Sequence, residues 1–290
     1  MTKLIFGCGY LGSRVARRWQ AQGEEVFVVT RRGQRARQFS AEGLRPIVAD
    51  VLQPDSLTRL PKADTVLFAV GYDRSSGASI YDVYVAGLRD VLASLSDDTR
   101  RFIYISSTGV YGQSQGETVD ESSPTEPNRD GGRACLAAEQ TLAADRLGEH
   151  GIVLRMAGIY GPGRIPLADA IRRGEAIPAP AESSLNLIHV EDAARVVLAA
   201  EVKAVPPRTY VVSDGYPAVR REYYEELARL LAAPPPRFAL PDPAAPKSSR
   251  SAGDKRIDNA RLVAELDVEL EYPSFREGLA AIVAKDRHEP

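Results

Sequence analysis

The stretch "KLIFGCGYLGSRVARRWQ", which begins at Lys3, constrains the chain more than any other. An apolar run from Leu4 to Phe6 leads directly into Gly7, Gly9 and Gly12, and Leu11, Val15 and Trp19 then recur at helical spacing. A strand that turns sharply into a helix gives each glycine a different task. Gly7 permits the tight turn, Gly9 lets backbone approach a bound group, and Gly12 allows the helix to pack closely on the strand. The positive end of the helix then faces the turn, where a pyrophosphate is stabilised. Gly7, Gly9, Tyr10, Leu11 and Gly12 are therefore expected to form the phosphate turn of a dinucleotide site, the alternative being an ordinary glycine-rich turn. Cys8 reads as a small side chain that fits this close packing.

Apolar runs alternate with helical patterns through the first half: "KLIFG" from Lys3, "EVFVVT" from Glu25, "RPIVAD" from Arg45, "DTVLFAV" from Asp64, "RFIYIS" from Arg101 and "GIVLRM" from Gly151. Continuous apolar strands separated by helices predict an α/β fold, a doubly wound parallel sheet with helices on both faces. After about residue 157 the pattern loosens, and "RTYVVSD" is a strand that could return to the main sheet. We expect a nucleotide-binding domain over residues 1–157 and a smaller substrate lobe over 158–290, with some of its segments returning to the sheet. Six prolines between Pro234 and Pro246 exclude a regular helix or central strand there. The segment "APPPRFALPDPAAPKSSRSAGDKR" reads as extended or mobile, either a surface loop or a flap on the substrate side.

The second strand ends in "VVTRRGQRAR", which puts Thr30 where a carboxylate would clamp an adenosine ribose 2′-hydroxyl, followed by Arg31 and Arg32. A missing acid beside two guanidiniums suits a 2′-phosphate, so NADP(H) is expected rather than NAD(H); a basic solvated turn is the alternative. Asp50, closing "IVAD", is either an acceptor for the adenine amino group or a cap.

The balance of 37 Lys plus Arg against 39 Asp plus Glu gives a formal charge of −2, which offers no field for nucleic acid or an anionic membrane. Neither partner is expected. Two cysteines, three histidines and no carboxylates at ligand spacing predict no disulfide framework and no metal site. The chain enters a strand at once with no leader pattern, and no apolar run approaches about 18 residues, so a cytoplasmic location is expected.

These residues resemble the extended short-chain dehydrogenase/reductase superfamily, of the NAD-dependent epimerase/dehydratase or nucleoside-diphosphate-sugar epimerase type. The likeness spans almost the whole chain: "GCGYLG", Asp50 in "ADV", "YVAGLRDVL" from Tyr84, "RFIYISSTGVYG" from Arg101, "VLRMAGIYGPGR" from Val153 and "LNLIHVEDAARVVLAA" from Leu185. An atypical branch fits best, because Phe6 replaces the first glycine of the usual G-x-x-G-x-x-G. The resemblance implies a Rossmann domain with a C-terminal substrate lobe, a nicotinamide cofactor, and a Ser/Thr, a Tyr and a Lys acting with it.

Matched on "VYG", Ser107 takes the Ser/Thr position, and Ser106 is expected to face the other way because neighbouring strand residues alternate. Matched on "RACLAAEQ", the tyrosine and lysine positions hold Gly131 and Cys135, neither of which can substitute. Thr108 and Gly109 stand where a dehydratase has acids, which disfavours dehydration. Tyr111 is the candidate surrogate acid, a structural tyrosine being its plainer reading in the family, Tyr160 has a similar claim, and Lys255 is the one lysine with a claim to reach the cleft, a solvated loop lysine being its plainer reading. Arg164 suits a phosphate or carboxylate on the substrate, and His189 is either a substrate contact or a packing residue. Asp192 is an early-turn helix acid. Two functions remain open: an NADP(H)-dependent epimerase or reductase acting on a polar, phosphorylated or sugar-nucleotide carbonyl substrate, and a non-catalytic NADP(H)-sensing protein. A homodimer is implied by the resemblance alone.

Overall fold

The computed structural model describes residues 1–239 and 253–286 of the chain. In chain order its elements are β1 (Thr2–Phe6), α1 (Gly12–Ala21), β2 (Glu25–Thr30), α2 (Gly33–Ala41), β3 (Arg45–Val48), β4 (Thr65–Phe68), α3 (Gly87–Ser94) and β5 (Arg101–Ser107). Then follow β6 (Glu117–Val119), α4 (Asp130–Ala143), β7 (Gly151–Met156), β8 (Gly158–Tyr160), α5 (Ala168–Arg172), β9 (Ala176–Pro178), β10 (Ser184–Leu185), β11 (Leu187–His189) and α6 (Val190–Lys203). The last are β12 (Arg208–Val212), β13 (Ala218–Val219), α7 (Arg220–Leu231), β14 (Arg237–Ala239), β15 (Lys255–Ile257), α8 (Ala260–Leu266) and α9 (Phe275–Asp286).

Seven strands form one sheet in the order β12-β7-β5-β4-β1-β2-β3, and each of the pairs β1–β2, β2–β3, β1–β4 and β4–β5 is parallel. All seven strand-like runs read from the sequence are in it, including "RTYVV", which returns as β12 beside β7. The apolar content of the runs explains their place: every residue of β4 is buried, whereas β3 at the edge exposes Arg45 and Val48. Pro46 lies on that edge strand, where a missing N–H costs least. β1 pairs with β2 on one side and β4 on the other, so the strand order reverses there and a crevice opens beyond its carboxyl end. Gly7 begins at that point.

The chain divides into two compact units, each made of three pieces. The first comprises Met1–Val110, Asp130–Arg155 and Ala194–Tyr210. Its core carries a run of aromatic rings, with Phe68 6.2 Å from Phe6, 6.5 Å from Phe102 and 6.0 Å from Tyr104. A buried polar knot sits among apolar neighbours: Glu201 accepts from Lys3, from Thr65 Oγ1 at 2.7 Å and from Trp19 Nε1 at 2.6 Å. Every oxygen of that carboxylate is thereby bonded, which is what burying it requires.

The second unit comprises Tyr111–Arg129, Met156–Ala193 and Val211–Pro290. Its core gathers Tyr160, Ile171, Ile177, Tyr223, Tyr224, Leu227, Phe275 and Leu279. Short strand pairs frame it: β8–β11, β9–β14 and β6–β15 are parallel and β10–β13 is antiparallel. Asn186 reads β15 as another strand would, donating from Nδ2 to Lys255 O at 2.8 Å and accepting from Ile257 N at 2.9 Å. The proline-rich segment contributes β14, and its continuation over residues 240–252 lies outside the described residues; so does His288. Among the described residues no helix is long and apolar enough to cross a membrane, and no group of His, Cys, Asp or Glu is arranged to hold a metal ion.

Candidate functional site

The three glycines of the opening turn differ in what surrounds them. Gly7 has φ +85°, and a Cβ there would lie 2.3 Å from Ala69 O, so neither the turn nor the space admits a side chain. A Cβ on Gly12 would lie 2.4 Å from Gly7 O, the signature of helix packed on strand. A Cβ on Gly9 would meet no atom of the described residues within 4 Å, so that face of the turn is open, while its N–H donates to Gly7 O at 2.8 Å and its carbonyl accepts from Ser13 N at 3.0 Å. Leu11 begins α1 without a side-chain cap, and the first turn holds no acid. An anion at this end would complete the helix. Arg14 adds positive charge within the first turn, its guanidinium 4.4 Å from the Tyr10 ring and its Nη1 bonded to Tyr10 O at 2.7 Å.

From this turn a cavity of about 200 Å³ extends along the ends of β1, β2 and β3. Gly7, Gly9, Thr30, Arg31 and Asp50 line it together; Tyr10, Leu11, Gly12 and Arg32 do not. Thr30 Oγ1 accepts from Arg32 N at 3.4 Å, and Asp50 Oδ1 accepts from Leu52 N at 3.0 Å, so Asp50 caps its own turn while facing the cavity. Two charged wall residues carry no mark in the sequence reading. Arg35 lies one helical turn beyond Arg31, a spacing that could have signalled it, with its guanidinium 4.4 Å from the Phe39 ring. Asp73 comes from the loop after β4, and no local pattern ties it to β2. Cys8 also lines the wall, and burial pushes its thiol up to about 12, so it is a neutral side chain there.

At the carboxyl end of β5 the two serines part. Ser106 is buried and donates to Glu139 Oε1 at 2.5 Å, and Glu139 is paired with Arg155, whose Nη2 stands 2.7 Å from Oε2. Ser107 is half-buried, and its Oγ accepts from Gly109 N at 3.0 Å, which leaves its O–H to donate elsewhere.

A glycine turn open at Gly9, at the switch point of a parallel sheet, is the geometry of a dinucleotide-binding fold. The sequence model of the NAD dependent epimerase/dehydratase family matches residues 4–213. The chain belongs to the NAD-dependent epimerase/dehydratase family. It is 32% identical over 279 residues to the protein YeeZ of Escherichia coli K12, covering 93% of this chain and 95% of that protein. A conserved protein of unknown function from Silicibacter pomeroyi superposes with a TM-score of 0.79 at 30% identity, over 98% of each chain. The UDP-glucose 4-epimerase of Thermus thermophilus, solved with NAD, superposes with a TM-score of 0.81 at 19% identity over the whole of both chains, a likeness of fold.

Gly131 and Cys135, which the sequence sets against the tyrosine and lysine positions, are both on α4. A Cβ on Gly131 would meet only Ile80 Cδ1, at 3.9 Å, so the position is open and holds no side chain. Cys135 is buried, and that burial pushes its thiol up to about 12, with Glu139 adding to the rise. It carries no positive charge at any working pH.

The other candidates belong to the second unit. Tyr111 is buried, and its carbonyl oxygen accepts from Lys255 Nζ at 2.6 Å. Burial, with Arg129 nearby, brings the Lys255 ammonium down to about 8. Arg164 is exposed, and its backbone closes a bridge with Gly161. His189 is buried between Tyr160, 5.3 Å away edge to face, and Tyr272 at 3.9 Å, and its Nδ1 accepts from Glu191 N at 3.3 Å. Tyr160 is buried too, and its hydroxyl donates to Ser274 O at 3.4 Å. Asp192, in the first turn of α6, also accepts from Glu271 N and Tyr272 N at 2.9 Å each.

Proposed function

We propose that this chain binds NADP(H) and acts as an epimerase or reductase on a sugar-nucleotide or another polar carbonyl substrate. The observation that carries the cofactor reading is the cavity wall at the end of β2: Thr30 where an acid would clamp a ribose 2′-hydroxyl, with Arg31 and Arg35 beside it. A 2′-phosphate needs charge-assisted hydrogen bonds, and guanidinium forks supply them. The nine-residue α2 supports the same reading, since it starts at Arg32 with no side-chain cap and no acid in its first turn. The turn at Gly7, Gly9 and Gly12, with α1 uncapped behind it, would hold the pyrophosphate, and Asp50 faces the adenosine end.

When bound, the nicotinamide supplies or accepts a hydride. Ser107 is the group proposed to polarise the substrate carbonyl: the Gly109 N–H on its oxygen orients the hydroxyl with its proton outward. Arg164 and His189 are the proposed substrate contacts. Fluorescence titration with NADPH and NADH tests the cofactor reading. Arg31→Glu and Arg35→Ala are each expected to weaken NADPH by about tenfold or more, with NADH changed far less. Equal loss of both cofactors would refute the preference. Substrate-dependent NADPH oxidation across nucleotide-sugar and carbonyl panels, lost in Ser107→Ala, tests the activity.

A second reading keeps the cofactor and drops the chemistry. It is favoured by Gly131 and Cys135, which put neither a phenol nor a cation at those two positions of α4. A protein that binds NADPH, turns over nothing in those panels and changes a partner interaction with nucleotide level would fit this sensor; the same runs in an ultracentrifuge test the homodimer.

A further inference from the structure

Arg31 is not idle in the cavity wall. Its Nη2 stands 3.8 Å from Asp73 Oδ2, and both side chains line the same cavity at the adenosine end. The Asp73 carboxylate is aimed rather than drifting. Its Oδ1 accepts from Ser75 N at 2.9 Å and from Ser75 Oγ at 2.6 Å, while its carbonyl accepts from Ser76 Oγ at 2.7 Å, so the loop and the carboxylate are fixed together. The second carboxylate oxygen is the one turned to Arg31. Those Ser75 bonds, helped by Arg31 and Arg32, hold the Asp73 carboxyl below its ordinary range, so it stays ionised at neutral pH.

We propose that Asp73 is a selectivity residue, a carboxylate that competes with the cofactor's 2′-phosphate for Arg31 and so sets how tightly NADP(H) is held. The proposal rests on the NADP(H) reading given above. A 2′-phosphate arriving at Arg31 must draw the guanidinium from Asp73 and accept a negative neighbour; a bare 2′-hydroxyl meets neither demand. Asp73 therefore weakens NADP(H) more than NAD(H), leaving the phosphorylated cofactor exchangeable in a wall that Arg31 and Arg35 would otherwise make strongly retentive.

The test is a fluorescence titration of the full chain with NADPH and with NADH, using wild type, Asp73→Asn, Arg31→Ala and the double variant. Asparagine keeps an acceptor for Ser75, so the loop is retained. Asp73→Asn is expected to tighten NADPH by about threefold to tenfold, the range of an exposed ion pair plus the removed repulsion, and to leave NADH within about twofold. In the Arg31→Ala background the gain should shrink sharply. Weakened NADH binding in Asp73→Asn would make Asp73 a ribose ligand and overturn the proposal. So would unchanged NADPH binding, or a full gain without Arg31. Wild type that binds NADPH but ignores Asp73→Asn refutes this inference alone, whereas wild type that binds neither nucleotide refutes the cofactor reading and this inference with it.

Discussion

A Cβ on Gly12 would stand 2.4 Å from the carbonyl oxygen of Gly7, so the first helix and the first strand meet at a distance only hydrogen can occupy. A Cβ on Gly9, two residues from Gly7 in the same turn, would meet no atom of the described residues within 4 Å. The two positions should respond to the same substitution in opposite ways. Gly12→Ala is expected to cost stability, about 1–3 kcal/mol for forced overpacking, with nucleotide binding lost through the displaced turn. Gly9→Ala should melt like wild type and lose affinity only. Thermal melts alongside NADPH titration check both, and an unstable Gly9→Ala would count against an open turn.

The serines at the end of β5 offer a matched pair. Ser106→Ala removes a donor from the buried Glu139 carboxylate and is expected to lower stability by about 1–3 kcal/mol. Ser107→Ala loses only the acceptor for Gly109 N, so its stability should stay near wild type while any NADPH-dependent turnover falls by about 100-fold or more. Denaturant melts and turnover measured on the same preparations separate the two. Equal destabilisation would show that both serines are structural.

Asp214 makes stability depend on pH. Burial pushes its carboxyl from the ordinary 3.8 up to about 8, with Asp192 and Glu277 adding to the rise; its Oδ1 accepts from Tyr216 N at 3.0 Å and its Oδ2 is buried with no hydrogen-bond partner among the described residues. The folded chain thus holds a proton that the unfolded chain releases at lower pH. Its stabilising contribution is complete below about pH 4 and is lost as pH rises toward 8, with a slope approaching about 1.4 kcal/mol per pH unit in that window. Asp214→Asn should flatten that dependence and raise the melting temperature at pH 8 to 9 relative to wild type. Parallel melting curves across pH 4 to 9 for the two proteins would expose the idea as wrong.

Lys255 and Lys62 should differ in reactivity. Burial brings Lys255 down to about 8, whereas the hydrogen bond to Asp98 raises Lys62 above its ordinary 10.5. At pH 8 Lys255 therefore presents far more of the nucleophilic amine than Lys62 does. Sub-stoichiometric acetic anhydride at that pH, read by mass spectrometry, is expected to mark Lys255 first despite its burial. Faster marking of Lys62 would refute this.

What the sequence revealed, and what it did not, follows from the range of the interactions. The seven central strands were legible because each is a continuous apolar run, and "RTYVV" announced its return by composition alone. The tight turn at Gly7 and the close packing at Gly12 were legible because a turn is a local object. Asp73 was invisible because its meeting with Arg31 joins the loops after two different strands. The pairing of Lys255 with Glu117 in β15 and β6 was hidden for the same reason, and strands of two or three residues are too short for alternation to register. Asp192 was read as a helix-end acid, yet its two bonds to Glu271 N and Tyr272 N tie down a segment far along the chain. Long-range hydrogen bonds leave no period in a sequence.

The three-piece composition of each unit has a consequence for the chain as a heritable object. No single break in the polypeptide, and so no single fusion or truncation of its gene, delivers either unit whole. A chimaera that exchanged one unit whole would have to be joined at several places at once. A variant that alters this chain while keeping both units whole must therefore do so by substitution within the existing order of its elements.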